Sequence, residues 1–199
     1  MKKGPLPHRL VLASASPRRH SLLAAAGFEV VTCPADVEEI KGGLHPRDLV
    51  LENAFIKAQA IAPSRPGELV LGADTVVVLD GEILGKPDNL DHAAEMLFRL
   101  GGRIHEVLTG VCLLKGGRNG ARCQFVESTR VSFRKLDADS IASYLLEINP
   151  LDKAGGYSAQ EDQGRLIEGI EGSLENVIGL PVEQVIRVIE THFTEPPAG

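Results

Sequence analysis

The 199-residue chain carries 43% apolar and 24% charged residues, a balance that folds around a core without disulfides or structural metal. Its net charge of −6 argues against a protein that coats nucleic acid, which needs clustered Lys and Arg, but leaves room for a small anion in a local basic pocket. Cys33, Cys112 and Cys123 are odd in number and far apart, so they form neither a disulfide framework nor a CxxC pair and read as buried thiols in a reducing compartment.

Met1-Lys2-Lys3 and Ala13-Ser14-Ala15 imitate the ends of a signal peptide, but Pro5 and Pro7 leave only Leu10 to Leu12 as an apolar run between them, too short for an h-region. Arg18-Arg19 is followed by a short apolar stretch that continues as fold. No run of about 20 apolar residues exists to span a bilayer. The expectation is a cytoplasmic protein without a membrane partner.

Leu10 to Ala13 reads as a buried strand, and Ser16-Pro17 as the N-cap and first residue of a helix that stops at Gly27. A strand follows over Phe28 to Thr32, then a polar loop from Glu38 to Gly43, then a helix from Pro46 to about Ile61, closed by Pro63 and Pro66. Leu69 to Leu79 is the strongest strand, and Asp80-Gly81 turns it into Glu82 to Leu84. A helix is expected over Asp91 to Leu100. Glu106 to Leu114 and Ala121 to Phe133 form strands joined by the turn from Gly116 to Gly120, with a further helix over Asp137 to Glu147. A glycine-containing loop from Leu151 to Gln160 leads to a strand near Leu166 to Ile170. The last helix starts at Pro181, with Val182, Val185, Ile186 and Ile189 on one stripe, and Glu195 to Gly199 is a frayed tail. Helices alternating with strands predict an α/β fold, and the hairpin across residues 105–133 makes its sheet mixed. No linker divides the chain, so residues 1–199 read as a single domain.

Chemistry concentrates at a few places. Leu12-Ala-Ser-Ala-Ser-Pro-Arg-Arg19 runs from a strand into a helix N-terminus bearing two arginines. Free N–H groups, the positive helix end and forked guanidinium donors suit a phosphate chain, although an ordinary N-cap with solvated arginines gives the same pattern. The segment lacks the frame of a P-loop. Asp74 interrupts an apolar strand, where a carboxylate needs a cation, hydrogen bonds or a metal, and Gly72 beside it permits a close approach. Backbone donors alone are the plain alternative. Lys57 shares a helical stripe with Val50, Ala54 and Ile61; it either snorkels to solvent or points its ammonium into an anionic site. With Asp80-Gly81 as a two-residue turn, Thr75 faces Lys86, which is otherwise an edge-strand lysine. Glu38 and Glu39 offer loop carboxylates, and the loop after Pro150 is long and polar. The 6 histidines show no HxH or HExxH spacing, which argues against a histidine-built zinc site.

Taken together, Leu12-Ala-Ser-Ala-Ser-Pro-Arg-Arg19, Leu71-Gly-Ala-Asp-Thr-Val-Val77, Gly85-Lys-Pro87, Thr109-Gly-Val111, Asp152-Lys-Ala-Gly155 and Gly179-Leu-Pro181 resemble the Maf family of nucleoside triphosphate pyrophosphatases, in the family's order and across nearly the whole chain. The resemblance implies a central mixed β-sheet with flanking helices, elongated, with a cleft between two lobes, and frequently a homodimer. It implies hydrolysis of a nucleoside triphosphate to the monophosphate and pyrophosphate with a divalent cation, Mg²⁺ or Mn²⁺. Carried over by motif, Asp74 is the proton acceptor. Ser14, Arg18, Lys57 and Lys86 bind phosphates, and Glu38 serves with Asp74 at the metal or the water. Tyr157-Ser-Ala-Gln160, Gly172-Ser173 and Asn176-Val-Ile-Gly-Leu-Pro181 resemble the subgroup that hydrolyses dTTP and UTP, with Arg18, Thr75 and Gln160 as specificity positions. The chain departs from bacterial members in having Glu161-Asp162 where glycine is common. Other readings are a 7-methyl-GTP pyrophosphatase, a nucleotide-binding regulator of septum formation without significant catalysis, and a nonspecific phosphatase. Asp74, Lys57 and Lys86 favour an enzyme.

Overall fold

The computed structural model describes residues 9–117 and 120–193. Seven strands and six α-helices follow one another as β1 (Arg9–Leu12), α1 (Pro17–Ala25), β2 (Glu29–Thr32), α2 (Pro46–Ile61), β3 (Leu69–Leu79), β4 (Glu82–Leu84), α3 (Leu90–Leu100), β5 (Ile104–Lys115), β6 (Arg122–Phe133), α4 (Ala138–Glu147), β7 (Ile167–Glu171), α5 (Leu174–Ile178) and α6 (Val182–His192). Short 3-10 turns occupy Ala62–Ser64 and Ala154–Gly156. Met1-Lys2-Lys3 of the signal-like start, the tip of the expected turn at Arg118-Asn119 and the tail from Glu195 to Gly199 lie outside the described residues.

The sheet order is β2-β1-β3-β5-β6-β7, with β4 paired to β3. β1 runs parallel to both β2 and β3, whereas β3–β4 and β6–β7 are antiparallel. The sheet is therefore mixed, the outcome expected from the hairpin across residues 105–133.

Local chemistry accounts for most boundaries. Ser16 caps α1 and Pro17 stands in its first turn. Gly27, at φ +91°, ends the helix in the left-handed region, where a Cβ is unfavourable. Asp80 and Gly81 both take positive φ, +52° and +84°, and close a two-residue hairpin that pairs Leu79 with Glu82. The short helix α5 was not expected from periodicity. Five residues carry too little pattern, and α5 is fixed from outside, where the buried Asn176 donates to the Val107 carbonyl and to Thr129 Oγ1, both at 3.0 Å.

The chain divides into two compact units, one of residues 1–74, 109–126 and 179–199, the other of residues 75–108 and 127–178. In the first, β1 alternates strictly. Leu10 and Leu12 join Leu23 of α1 and Val185 and Ile189 of α6 in one cluster, while Val11 and Ala13 join Ala54 and Ala58 of α2 in another. Helices thus cover both faces of this part of the sheet, which is why its strands read as continuous apolar runs. The second unit has its own core, built on Val77, Leu97, Leu100, Val131, Phe133 and Tyr144.

Candidate active site

The side-chain alternation of β3 decides where Asp74 points. Leu71 and Ala73 belong to the cluster under α1 and α6, whereas Val70 belongs to the cluster under α2. Asp74 has the parity of Val70 and Gly72, so it faces α2. Gly72 makes that approach close: a Cβ there would stand 2.1 Å from the Ala54 carbonyl oxygen and 2.8 Å from the Ala58 nitrogen. Gly110 does the same one strand away, 2.3 Å from the Val50 oxygen. The close approach that Gly72 permits is taken by a helix of the chain itself.

That helix carries Asn53 and Lys57 on its inward side, four residues apart and so one above the other. Both are buried, as are Ser14 and Asp74. Lys57 Nζ lies 2.8 Å from Asp74 Oδ1 and 2.9 Å from Glu39 Oε1, and donates more weakly to the Ala73 carbonyl at 3.4 Å. Of the two readings of Lys57, the fold chooses the anionic site. Asp74 Oδ2 accepts from Asn53 Nδ2 at 3.1 Å. The carboxylate that interrupts the apolar strand therefore has a cation on one oxygen and an amide donor on the other.

A second group of contacts gathers at the start of α1. Ala13 N–H donates to the Leu71 carbonyl, which carries β1 alongside β3 up to Ser14. Ser14 Oγ accepts from the Ser16 backbone at 3.2 Å and from the Arg19 guanidinium at 3.1 Å. Arg19 Nε donates to the Gly179 carbonyl at 2.9 Å. Burial lowers the proton affinity of Arg19, Asp74 and Glu39 raise it, and neighbouring Arg18 lowers it. An arginine remains charged throughout, so this end of the unit carries fixed positive charge that senses both carboxylates.

The first unit thus brings together Ser14, Lys57 and Asp74 among the residues singled out from sequence, with Arg18 half-buried on α1. The resemblance points to Glu38, but of these two exposed residues the adjacent Glu39 is the one whose side chain reaches Lys57. Thr75, Lys86 and Gln160 belong to the second unit. Lys86 and Gln160 are exposed and Thr75 is half-buried. Within that unit Gly155 N–H donates to the Gly85 carbonyl at 2.9 Å, joining the turn of Lys86 to the loop that leads to Gln160.

Glu39, Arg19 and Asn53 gain their importance only from the fold. A Glu pair gives no means of choosing the member that reaches Lys57. The Arg pair has the same ambiguity. For Asn53, the one available signal is an amide among apolar residues at helical spacing.

The family model described as Maf-like protein matches residues 9–192. A protein from Anaeromyxobacter dehalogenans named dTTP/UTP pyrophosphatase is 45% identical over 183 residues, covering 91% of this chain and 92% of its own. Another of that name from Pyrococcus abyssi is 38% identical over 188 residues, covering 94% and 98%. A solved structure described as a nucleoside-triphosphatase/dITP/XTP pyrophosphatase from Mycobacterium abscessus has a TM-score of 0.46 at 15% identity, over 92% of this chain and 96% of that one. The match across nearly every described residue, with two such relatives aligned over more than nine-tenths of both chains, means that this chain belongs to the Maf family.

Proposed function

We propose that this chain is a nucleoside triphosphate pyrophosphatase that hydrolyses dTTP and UTP to the nucleoside monophosphate and pyrophosphate. The observation that carries the reading is the buried Asp74 carboxylate, bound by Lys57 and Asn53 in a unit that also holds Ser14, Arg18 and Arg19. The names borne by relatives at 38% to 45% identity support the choice of substrate.

Cleavage between the α- and β-phosphates needs a water aimed at the α-phosphorus. Its oxygen forms the new P–O bond as the bond to the bridging oxygen breaks, and the electron pair leaves with pyrophosphate. Asp74 accepts the proton of that water. Lys57, with Arg18, Ser14 and Lys86, binds the phosphate oxygens and stabilises the charge that builds on the leaving pyrophosphate. Arg18, Thr75 and Gln160 select the base. Residues 1–199 serve this one reaction as a single functional domain.

The acidic residues suit a hard divalent cation. Asp74 Oδ1 and Glu39 Oε1 converge on one cationic atom, Lys57 Nζ, at 2.8 and 2.9 Å. Among the described residues no group of three or more His, Cys, Asp or Glu could hold a metal ion. A site of one or two carboxylates completed by substrate phosphates is the Mg²⁺ or Mn²⁺ pattern. Asp74 and Glu39, the latter in place of Glu38, would hold it. When bound, the cation would neutralise phosphate charge.

Among the described residues no helix is long and apolar enough to cross a membrane. The test is a panel of nucleoside triphosphates with Mg²⁺ or Mn²⁺ and identification of the initial products. Equal amounts of pyrophosphate and monophosphate are expected, with dTTP and UTP ahead of purine nucleotides and 7-methyl-GTP. Orthophosphate with nucleoside diphosphate as the first products would refute the reading.

A further inference from the structure

Asn53 holds two parts of the acidic cluster at once. Its Oδ1 accepts from the Ile40 N–H at 2.8 Å, and its Nδ2 donates to the Ile40 carbonyl at 2.9 Å and to Asp74 Oδ2 at 3.1 Å. Only one orientation of the amide permits all three. The reverse would set carbonyl oxygen against carbonyl and carboxylate oxygens, and N–H against N–H. The two bonds to Ile40 clamp the loop immediately after Glu39. The third takes the Asp74 oxygen that Lys57 does not hold.

This amide lies on the inward side of α2, among Val50, Ala54 and Ala58, all at 0% exposure, and is itself 2% exposed. An apolar side chain of that size would fill the same space, but it would leave the Ile40 N–H, the Ile40 carbonyl and Asp74 Oδ2 without this partner. What the amide supplies, and an apolar residue does not, is a fixed relation between Asp74 and the strip of chain bearing Glu39.

We propose that Asn53 is a positioning residue for the hydrolysis. It sets the rotation of the Asp74 carboxylate, the two bonds to Ile40 holding the amide in the orientation that does so, so that Asp74 presents its remaining lone pairs to the attacking water. The inference rests on the reading of Asp74 as proton acceptor. Asn53 acts through Asp74 and does not itself contact the reacting atoms.

The test is steady-state hydrolysis of dTTP with Mn²⁺ by the full chain, for Asn53→Leu, Asn53→Asp, Asp74→Asn and the double variant Asn53→Leu/Asp74→Asn, with melting curves for each. Misaligning a proton acceptor by about an ångström costs up to about a hundredfold. Asn53→Leu should therefore lower kcat about ten- to a hundredfold while KM for dTTP stays within about threefold. Asn53→Asp has the same size but turns an oxygen toward Asp74, and should fall at least as far. If Asn53→Leu does not fold, Asn53→Asp carries the test, alone and paired with Asp74→Asn.

Because Asn53 acts through Asp74, the double variant should be no more than about twofold slower than Asp74→Asn alone. A folded single variant with wild-type kcat, a rise in KM matching the fall in kcat, or losses that multiply in the double variant would each overturn the proposal. Asp74→Asn inactive beside a fully active Asn53→Leu rejects the role of Asn53 alone. Asp74→Asn with undiminished turnover rejects the reading of Asp74, and the role of Asn53 with it.

Discussion

Gln160 stands exposed at the end of a loop whose two flanks are held by buried polar groups. Before it, the Tyr157 hydroxyl lies 2.9 Å from His105 Nε2, and the Tyr144 hydroxyl accepts from the Ser158 N–H at 3.0 Å. After it, the Asp162 carboxylate accepts from the backbone of Gly164, Leu166 and Ile167 at 3.0, 2.8 and 3.1 Å. The departure at Glu161-Asp162 thus has a physical account, since a buried carboxylate cradled by three N–H groups shapes this loop. An amide presented on such a mount can accept from the N3–H of uracil or thymine and donate to a neighbouring carbonyl. Gln160→Ala should narrow the preference for dTTP and UTP over purine nucleotides by about ten- to a hundredfold, the effect of an unsatisfied polar partner, and leave pyrophosphate release intact. The measurement is the ratio of kcat/KM values. An unchanged base ranking would remove Gln160 from base selection.

At the scale of elements, α2 bears the Asn53 and Lys57 contacts to Asp74, and two glycines set its depth. The φ of Gly72 is not in the left-handed region, so backbone strain is not the issue. The obstacle is backbone of α2 within 2.1 and 2.8 Å of an added Cβ, which no side-chain rotation relieves. Gly72→Ala should destabilise the chain by about 1–3 kcal/mol, the usual cost of overpacking, and lower kcat by displacing Lys57 and Asn53 from Asp74. Gly85→Ala is the control, since a Cβ there meets nothing within 4 Å, and it should be neutral in the same denaturant titration. Equal stability of the two variants would show that α2 is free to shift. The elements themselves were largely legible. Ser16-Pro17, Gly27 and Asp80-Gly81 act through local backbone preference, so the residues alone locate the breaks. α5 was not, because its reason for being helical lies in the contacts of Asn176 with β5 and β6.

For the molecule as a whole, acid stability is the property most exposed to one buried group. His105 is 2% exposed and packs edge-on against Phe133 and Tyr157. Burial holds its imidazole down to about 4, below the ordinary 6.5. Between those values the unfolded chain takes up the proton and the folded chain does not, so stability falls as the pH drops from 6.5 to 4. The full loss approaches about 3 kcal/mol. Denaturant midpoints at pH 7 and pH 4.5 should therefore converge in His105→Gln relative to the unaltered chain. An equal acid-induced drop in both would show that carboxylates account for it.

The residues by themselves determined the family, the alternation of helices and strands, and the elements that carry Asp74, Lys57 and Ser14. These follow from local backbone preference, from side-chain periodicity and from ordered motifs, all of which are properties of neighbours along the chain. Only the tertiary structure decided which of two adjacent glutamates reaches Lys57, what occupies the space that Gly72 leaves open, and that an asparagine on an apolar stripe binds Asp74. The last two depend on how closely α2 settles on β3, across contacts such as Asn53–Asp74 and Lys57–Ala73, and the first on how the loop before α2 lies against that helix. Contacts of that span are set by packing depth and side-chain direction, for which neighbouring residues carry no signal.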